Sequence, residues 1–275
     1  MDIASDASSL ALLAALLAVT GLLAGLIAGL LGVGGGIILV PVLESALQFT
    51  GFPKEWCMHV AVATSLATVI PTSIASSHAH HLRGGIDWTI AKAWAPGMIV
   101  GGLVGSLLAA HASDGALSGL FGIVALLVAT KMFLPLDHLR LINSIPRGVP
   151  GNLLAVSIGS VSSMMGIGGG TLSVPAMALA GGPIHKAVGT AAFFGLLLSV
   201  PGTIGYLFAR PDMSLPGLTV GLVSFTAFVV IVPMSIFTAP FGARLAHSLE
   251  RRTLSRLFGV FLSIIAVRML IRTFQ

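Results

Sequence analysis

Residues 9–47 run for 39 positions with a single charge, Glu44, and no other feature limits the fold so strongly. As one helix the run would be about 58 Å long, nearly twice a ~30 Å hydrocarbon core. It must therefore turn within apolar surroundings. The place that permits a turn is Leu30–Pro41, LLGVGGGIILVP, because glycine and proline are poor interior helix residues and free the backbone to leave helical geometry. The same device returns 134 positions later as MMGIGGGTLSVP, Met164 to Pro175.

Apolar runs of similar length fill the rest of the chain, which is 56% hydrophobic and 8% charged, where an ordinary soluble domain carries about 25% charge. The expected fold class is an all-α polytopic membrane protein occupying residues 1–275 as one domain, with no room for a soluble catalytic unit. The net charge is +5, and the 14 Lys and Arg are spread over short connections without forming a stripe; they read as topology-setting loop charge rather than as a nucleic-acid surface. The lone Cys57 excludes an intramolecular disulfide and a CxxC pair. The opening MDIASDASSL has two Asp and no base, so Leu10–Leu31 is expected to be a retained membrane helix with its N-terminus outside.

Self-comparison divides the chain near Asp137–Arg147. Gly32, Gly34, Gly35, Gly36 and Pro41 fall on Gly166, Gly168, Gly169, Gly170 and Pro175; AVAT at 61–64 falls on AVGT at 187–190, and LFG at 120–122 on LFG at 257–259. The order is kept while the offset drifts, as in an internal duplication, giving repeat one over 9–136 and repeat two over 149–272. Breaking each half at its glycines yields five elements. The first half has Ser9–Leu31, Gly36–Thr50, Cys57–Ala79, Trp88–Ala110 and Gly115–Leu136. The second has Val149–Met165, Gly170–Gly181, Ala187–Ala209, Leu215–Leu245 and Leu254–Ile271. Four elements per half would split the bases eight to six between the two faces; five put Lys54, Arg210, Arg268 and Arg272 on one face and the other ten opposite. The second split is a usable positive-inside signal and places both termini outside. An odd count also inverts the second repeat relative to the first, as in many secondary transporters. The short segments 36–50 and 170–181 are either full crossings or re-entrant.

Glycine clusters expose backbone N–H groups, and the helix that follows each begins with unpaired amides at the positive end of its dipole. Two such breaks facing each other would hold an anion without a lysine. Small-residue packing is the alternative use of such glycines. A nucleotide loop fits the motifs much less well, since Ile37 and Thr171 break the pattern and no Gly-Lys-Ser/Thr follows. Thr64, Ser65 and Thr190 are candidate hydroxyl donors, although a hydroxyl in an apolar helix also bonds the carbonyl one turn back. Glu44, whose counterpart is Ala178, is a proton-coupling candidate set against a solvated helix end, and the expectation is the solvated end. His78, His80 and His81 are expected in a wet loop rather than on a metal. Trp56, Trp88 and Tyr206 are expected as interfacial anchors, and Arg244, His247, Arg251, Arg252 and Arg256 as cytoplasmic charge near anionic lipid. No nucleophile motif with a partner histidine and no intramembrane aspartate pair supports an enzyme.

With these paired motifs, AVATSL after the first and GARLAHSLERRTLSRLFGVFLSIIAVRML at the end, the chain resembles the TauE/SafE family of sulfite and organosulfonate exporters over nearly its full length. The resemblance implies a secondary transporter of small sulfur-containing anions in a bacterial inner membrane. Its glycine motifs correspond to Gly32, Gly34, Gly35, Gly36, Gly166, Gly168, Gly169 and Gly170, and its Thr-Ser step to Thr64 and Ser65, with Thr190-Ala191 departing from it in the second half. The expected mechanism is alternating access, with export driven by a coupling proton. Expected partners are the small anion, that proton and membrane lipid; no cofactor, metal or nucleic acid is expected, and a homodimer is compatible with the chain. A metal or other ion permease using His78, His80 and Glu44 is the alternative function.

Overall fold

The computed structural model describes residues 15, 17–26, 35–49, 52–133, 144–213, 215–248 and 251–273. Gly32, Gly34 and most of the predicted span 9–31 lie outside them, as do the side chains of Arg244, His247, Arg251 and Arg252. Helices dominate, as the apolar runs require: α1 (Leu17–Leu26), α2 (Gly36–Phe49), α3 (Lys54–Leu82), α4 (Trp88–His111), α5 (Asp114–Phe133), α6 (Gly148–Met164), α7 (Gly170–Leu179), α8 (Ile184–Phe208), α9 (Phe225–Ser248) and α10 (Arg251–Arg272). Among the described residues α3, α4, α5 and α8 are long and apolar enough to cross a bilayer. α2 and α7 are the two short helices expected after the glycine motifs, at 14 and 10 residues.

One expectation fails. Leu215–Leu245 is not a continuous helix: Thr219–Val220 (β1) pairs antiparallel with Val223–Ser224 (β2), and α9 begins only at Phe225. The segment LPGLTVGLVS is apolar, but Gly217 and Gly221 stand at φ 72° and 58°, where the chain turns back and Leu222 N–H donates to Tyr206 O at 3.0 Å. Hydropathy marks the segment as buried without saying that it is helical.

Helix directions follow from small-residue contacts, which drive packing where lipid removes the hydrophobic incentive. Gly97, Gly101 and Gly105 of α4 lie successively against Asn152, Val156 and Ser160 of α6, so the two helices run the same way. α1 and α9 also run together, Gly21 against Ile231 and Met234 and Gly25 against Ser235 and Thr238. α5 and α10 are antiparallel, with Gly119 against Thr273 and Gly259 against the Phe133 ring. The opposite face of α4 leaves Ile99, Val100, Leu103, Val104, Leu107 and Leu108 exposed, a patch that only a non-aqueous surround tolerates. At the centre lies α3, whose residues Val60–Leu66 are each 0% exposed.

Candidate functional site at the crossing of two helix breaks

The two glycine motifs touch. α6 ends at Met164, and Gly166 takes φ 64°, a left-handed turn that a side chain disfavours, so that the chain can re-enter as α7. Gly36, the first residue of α2, rests on that turn: a Cβ there would stand 2.5 Å from Gly166 O and 2.9 Å from Ile167 Cα. A Cβ on Gly166 would stand 2.5 Å from Val62 O of α3. Ser65 closes the contact, its Oγ donating to Gly166 O at 2.7 Å. The structure therefore brings together Gly35, Gly36, Ser65 and Gly166, all buried. Gly168, Gly169 and Gly170 follow in the same buried segment, with Gly169 packed against Phe194 and Gly195 of α8.

Each short helix begins with amides that have no carbonyl one turn earlier to bond. In α2 the earliest helical bonds run from Ile38 N and Leu39 N to Gly35 O, and in α7 from Ser173 N to Gly169 O. The amides of Gly36 and Ile37 and of Gly170, Thr171 and Leu172 precede those bonds. The breaks are alike in placement and unlike in detail: the left-handed glycine is Gly35 (φ 71°) in the first motif, whereas its register partner Gly169 is right-handed at φ −55°.

The candidate threonines do something that their sequence positions do not announce. Thr64 Oγ1 accepts from Ser224 N–H at 2.9 Å, and Thr190 Oγ1 accepts from Asp87 N–H at 2.9 Å. Ser224 and Asp87 are the residues that start α9 and α4, and each also caps its helix: Ser224 Oγ accepts from Ala227 N–H, and Asp87 Oδ1 from the amides of Thr89 and Ile90. A threonine in the third element of each half thus holds the start of the fourth element of the other half. An accepting hydroxyl still has its own O–H to donate.

Several expectations are corrected. Glu44 is not a solvated helix end; its side chain has 0% exposure and pairs with Arg272 and Arg268 of α10. A carboxylate that deep requires such partners. Tyr206 is not an interfacial anchor but fully buried, its OH donating to Ser163 O at 3.0 Å. Trp88 is 41% exposed, as an anchor should be. His78 and His81 are exposed and His80 half-buried, at the Leu82 end of α3. Glu44 lies at the Lys54 end, because Arg272 reaches both Glu44 and Lys54 O. About 36 Å of helix separates Lys54 from His78, so these histidines and Glu44 do not form one metal site. The same contact puts Lys54 and Arg272 on one face, in keeping with five elements per half and not four. Asp114, His59, Asp87 and Ser224 went unnoticed in the sequence; Asp87 and Ser224 carried the usual signal of a cap residue before an apolar run.

Long apolar helices packed through glycine, with two glycine motifs in contact in a buried centre, define a multi-pass all-α membrane protein. The sulfite exporter TauE/SafE family matches residues 17–269, and the chain belongs to that family. A probable membrane transporter protein of Haemophilus influenzae is 30% identical over 244 residues, covering 88% of this chain and 92% of the relative. Probable membrane transporter proteins of Bacillus subtilis and Methanocaldococcus jannaschii are 26% and 27% identical, over 87% of this chain and 91% and 89% of theirs. No solved structure matches the chain significantly. With this family and these relatives, the chain is a membrane transporter.

Proposed function

We propose that the protein is a secondary transporter, and by direction an exporter, of small sulfur-containing anions such as sulfite or organosulfonates, working by alternating access around the crossing of the two helix breaks. The observation that supports this most is the contact of Gly36 with Gly166 and Ile167, which sets the start of α2 against the buried turn that leads into α7. Unpaired helix-start amides favour an oxyanion through both hydrogen bonding and the helix dipole, and hold it without a buried cation. The binding groups in this reading are the backbones of Gly32, Gly34, Gly35, Gly36, Gly166, Gly168, Gly169 and Gly170 and the hydroxyls of Thr64, Ser65 and Thr190. The match to a sulfite exporter family supports the substrate class.

The two halves act as inverted repeats in this proposal, with the termini outside a bacterial inner membrane. Reciprocal contacts support it. α1 runs with α9 as α6 runs with α4, α5 faces α10, and Thr64 and Thr190 exchange caps across the halves. As described, the crossing is packed shut: Gly36 has no room for even a methyl group. Opening to either side requires α2 to part from the Gly166 turn, and substrate that takes the Ser65 hydroxyl replaces its bond from α3 to Gly166 O.

Uptake and efflux of sulfite, thiosulfate and ethanesulfonate in proteoliposomes test the reading. The expected result is saturable transport of at least one of them that falls at least tenfold in folded Gly36→Val and Ser65→Ala variants. Normal transport by both variants, or no transport of any sulfur anion by the natural protein, overturns it.

A further inference from the structure

Four charged side chains from three helices gather at one place. Glu44 of α2, Asp114 at the start of α5 and Arg268 and Arg272 near the end of α10 meet at the Lys54 end of the bundle. Arg272, 15% exposed, forks between the two carboxylates, Nη1 on Glu44 and Nη2 on Asp114 at 2.7 Å. Arg268 is half exposed, with Nη2 3.4 Å from Glu44 Oε2 and Nη1 donating to Ser45 Oγ at 2.6 Å. Gln48 also donates to Glu44. From α3, Cys57 and His59 face the cluster; His59 is 3% exposed, with Nε2 on Ala112 O and Nδ1 lacking a partner. A cavity of about 680 Å³ opens onto both guanidiniums, with Lys54, Glu55 and Asp114 also on its wall.

Two carboxylates face two guanidiniums, so the cluster is balanced as it stands. An oxyanion entering the cavity finds Arg268 and Arg272 already committed to Glu44. Should it take a guanidinium, Glu44 becomes a fully buried carboxylate without a counter-charge, which is among the costliest states a protein can hold. A proton on Glu44 removes that cost and leaves the cluster one positive charge in excess, ready to neutralise the anion. Resting on the transport reading above, we propose that the Glu44–Arg268–Arg272–Asp114 cluster is a second, peripheral anion site, and that Glu44 takes up one proton for each oxyanion bound to the arginines, so that proton and anion move the same way and outward flux runs down the anion's own gradient instead of being driven by protons. Arg268, the more exposed base, makes first contact.

The test uses the full chain in proteoliposomes with an internal pH dye, and ethanesulfonate as a probe whose charge is constant between about pH 5 and 8. Trp56, whose ring lies 5.1 Å from that of His59, gives a separate fluorescence readout of binding. In the natural protein, apparent affinity falls by up to about tenfold per pH unit as pH rises, the slope of one linked proton, and anion flux carries protons. Glu44→Gln loses the pH slope of ethanesulfonate binding and drops the protons carried per anion moved at least tenfold. Glu44→Asp restores both, and Arg268→Gln weakens apparent affinity about tenfold. A pH-independent affinity in the natural protein, or a folded Glu44→Gln variant that still carries a proton per anion, overturns the inference alone. If sulfite, thiosulfate and ethanesulfonate all fail to move, the transport reading falls as well.

Discussion

α2 and α7 begin at the same glycine motif and become different objects. α2 is 14 residues long and carries Glu44, through which it is tied to α10 by Arg268 and Arg272. α7 is 10 residues long, has Ala178 at the matching position and no charged residue, and leans on α8. Both provide a buried helix start after a glycine motif that holds a left-handed glycine, Gly35 before α2 and Gly166 before α7, but only one provides a charge. The helix start after a glycine motif occurs in both segments, whereas the ion-paired carboxylate occurs in one.

Substitutions can break or sharpen this contrast. Glu44→Ala, which strands Arg272 beside Asp114, should cost about 3–5 kcal/mol, read as thermal unfolding in detergent, whereas Ala178→Ser in α7 should cost well under about 1 kcal/mol. Next is Gly166→Ala, where a left-handed φ and a Cβ 2.5 Å from Val62 O act together; about 3 kcal/mol is expected. Gly169→Ala has a right-handed φ and meets only the Phe194 Cβ at 3.0 Å and its neighbours, so it should cost less. Thr64→Val and Thr190→Val each orphan one helix-start amide and should cost about 1–3 kcal/mol. Near-equal losses would show that the exchange of caps is balanced, and a large inequality would show that it is not. The smallest effect is expected from His78→Ala and His81→Ala, both exposed, within about 0.5 kcal/mol of the natural protein and with no change on adding divalent metal.

Much of the fold was legible because the signals are one-dimensional. Length against bilayer thickness forces the turn at the glycines, and α2 and α4 start where Gly36 and Trp88 were expected. Residues 215–224 misled because apolar composition does not decide backbone path, which Gly217 and Gly221 turn back on itself. The site was legible only in part. The motifs name Gly36 and Gly166, but the fact that these two touch is a three-dimensional result. Glu44 was misjudged by treating its helix end as wet. The available signal lay at the other end of the chain: Arg268 and Arg272, four apart on one face of an apolar helix, call for buried acidic partners. Thr64 and Thr190 were recognised as a pair, yet the Ser224 and Asp87 amides they hold lie 160 and 103 residues away, beyond any local pattern.

The most direct test is a cryo-electron microscopy map of the protein in a lipid nanodisc at saturating sulfite. The account predicts anion density at the crossing, within hydrogen-bond reach of the amides of Gly36–Ile37 and Gly170–Thr171, with α2 drawn away from the Gly166 turn. Density confined to the Arg268 cavity or elsewhere, with Gly36 still pressed on Gly166 in every conformation, would contradict it.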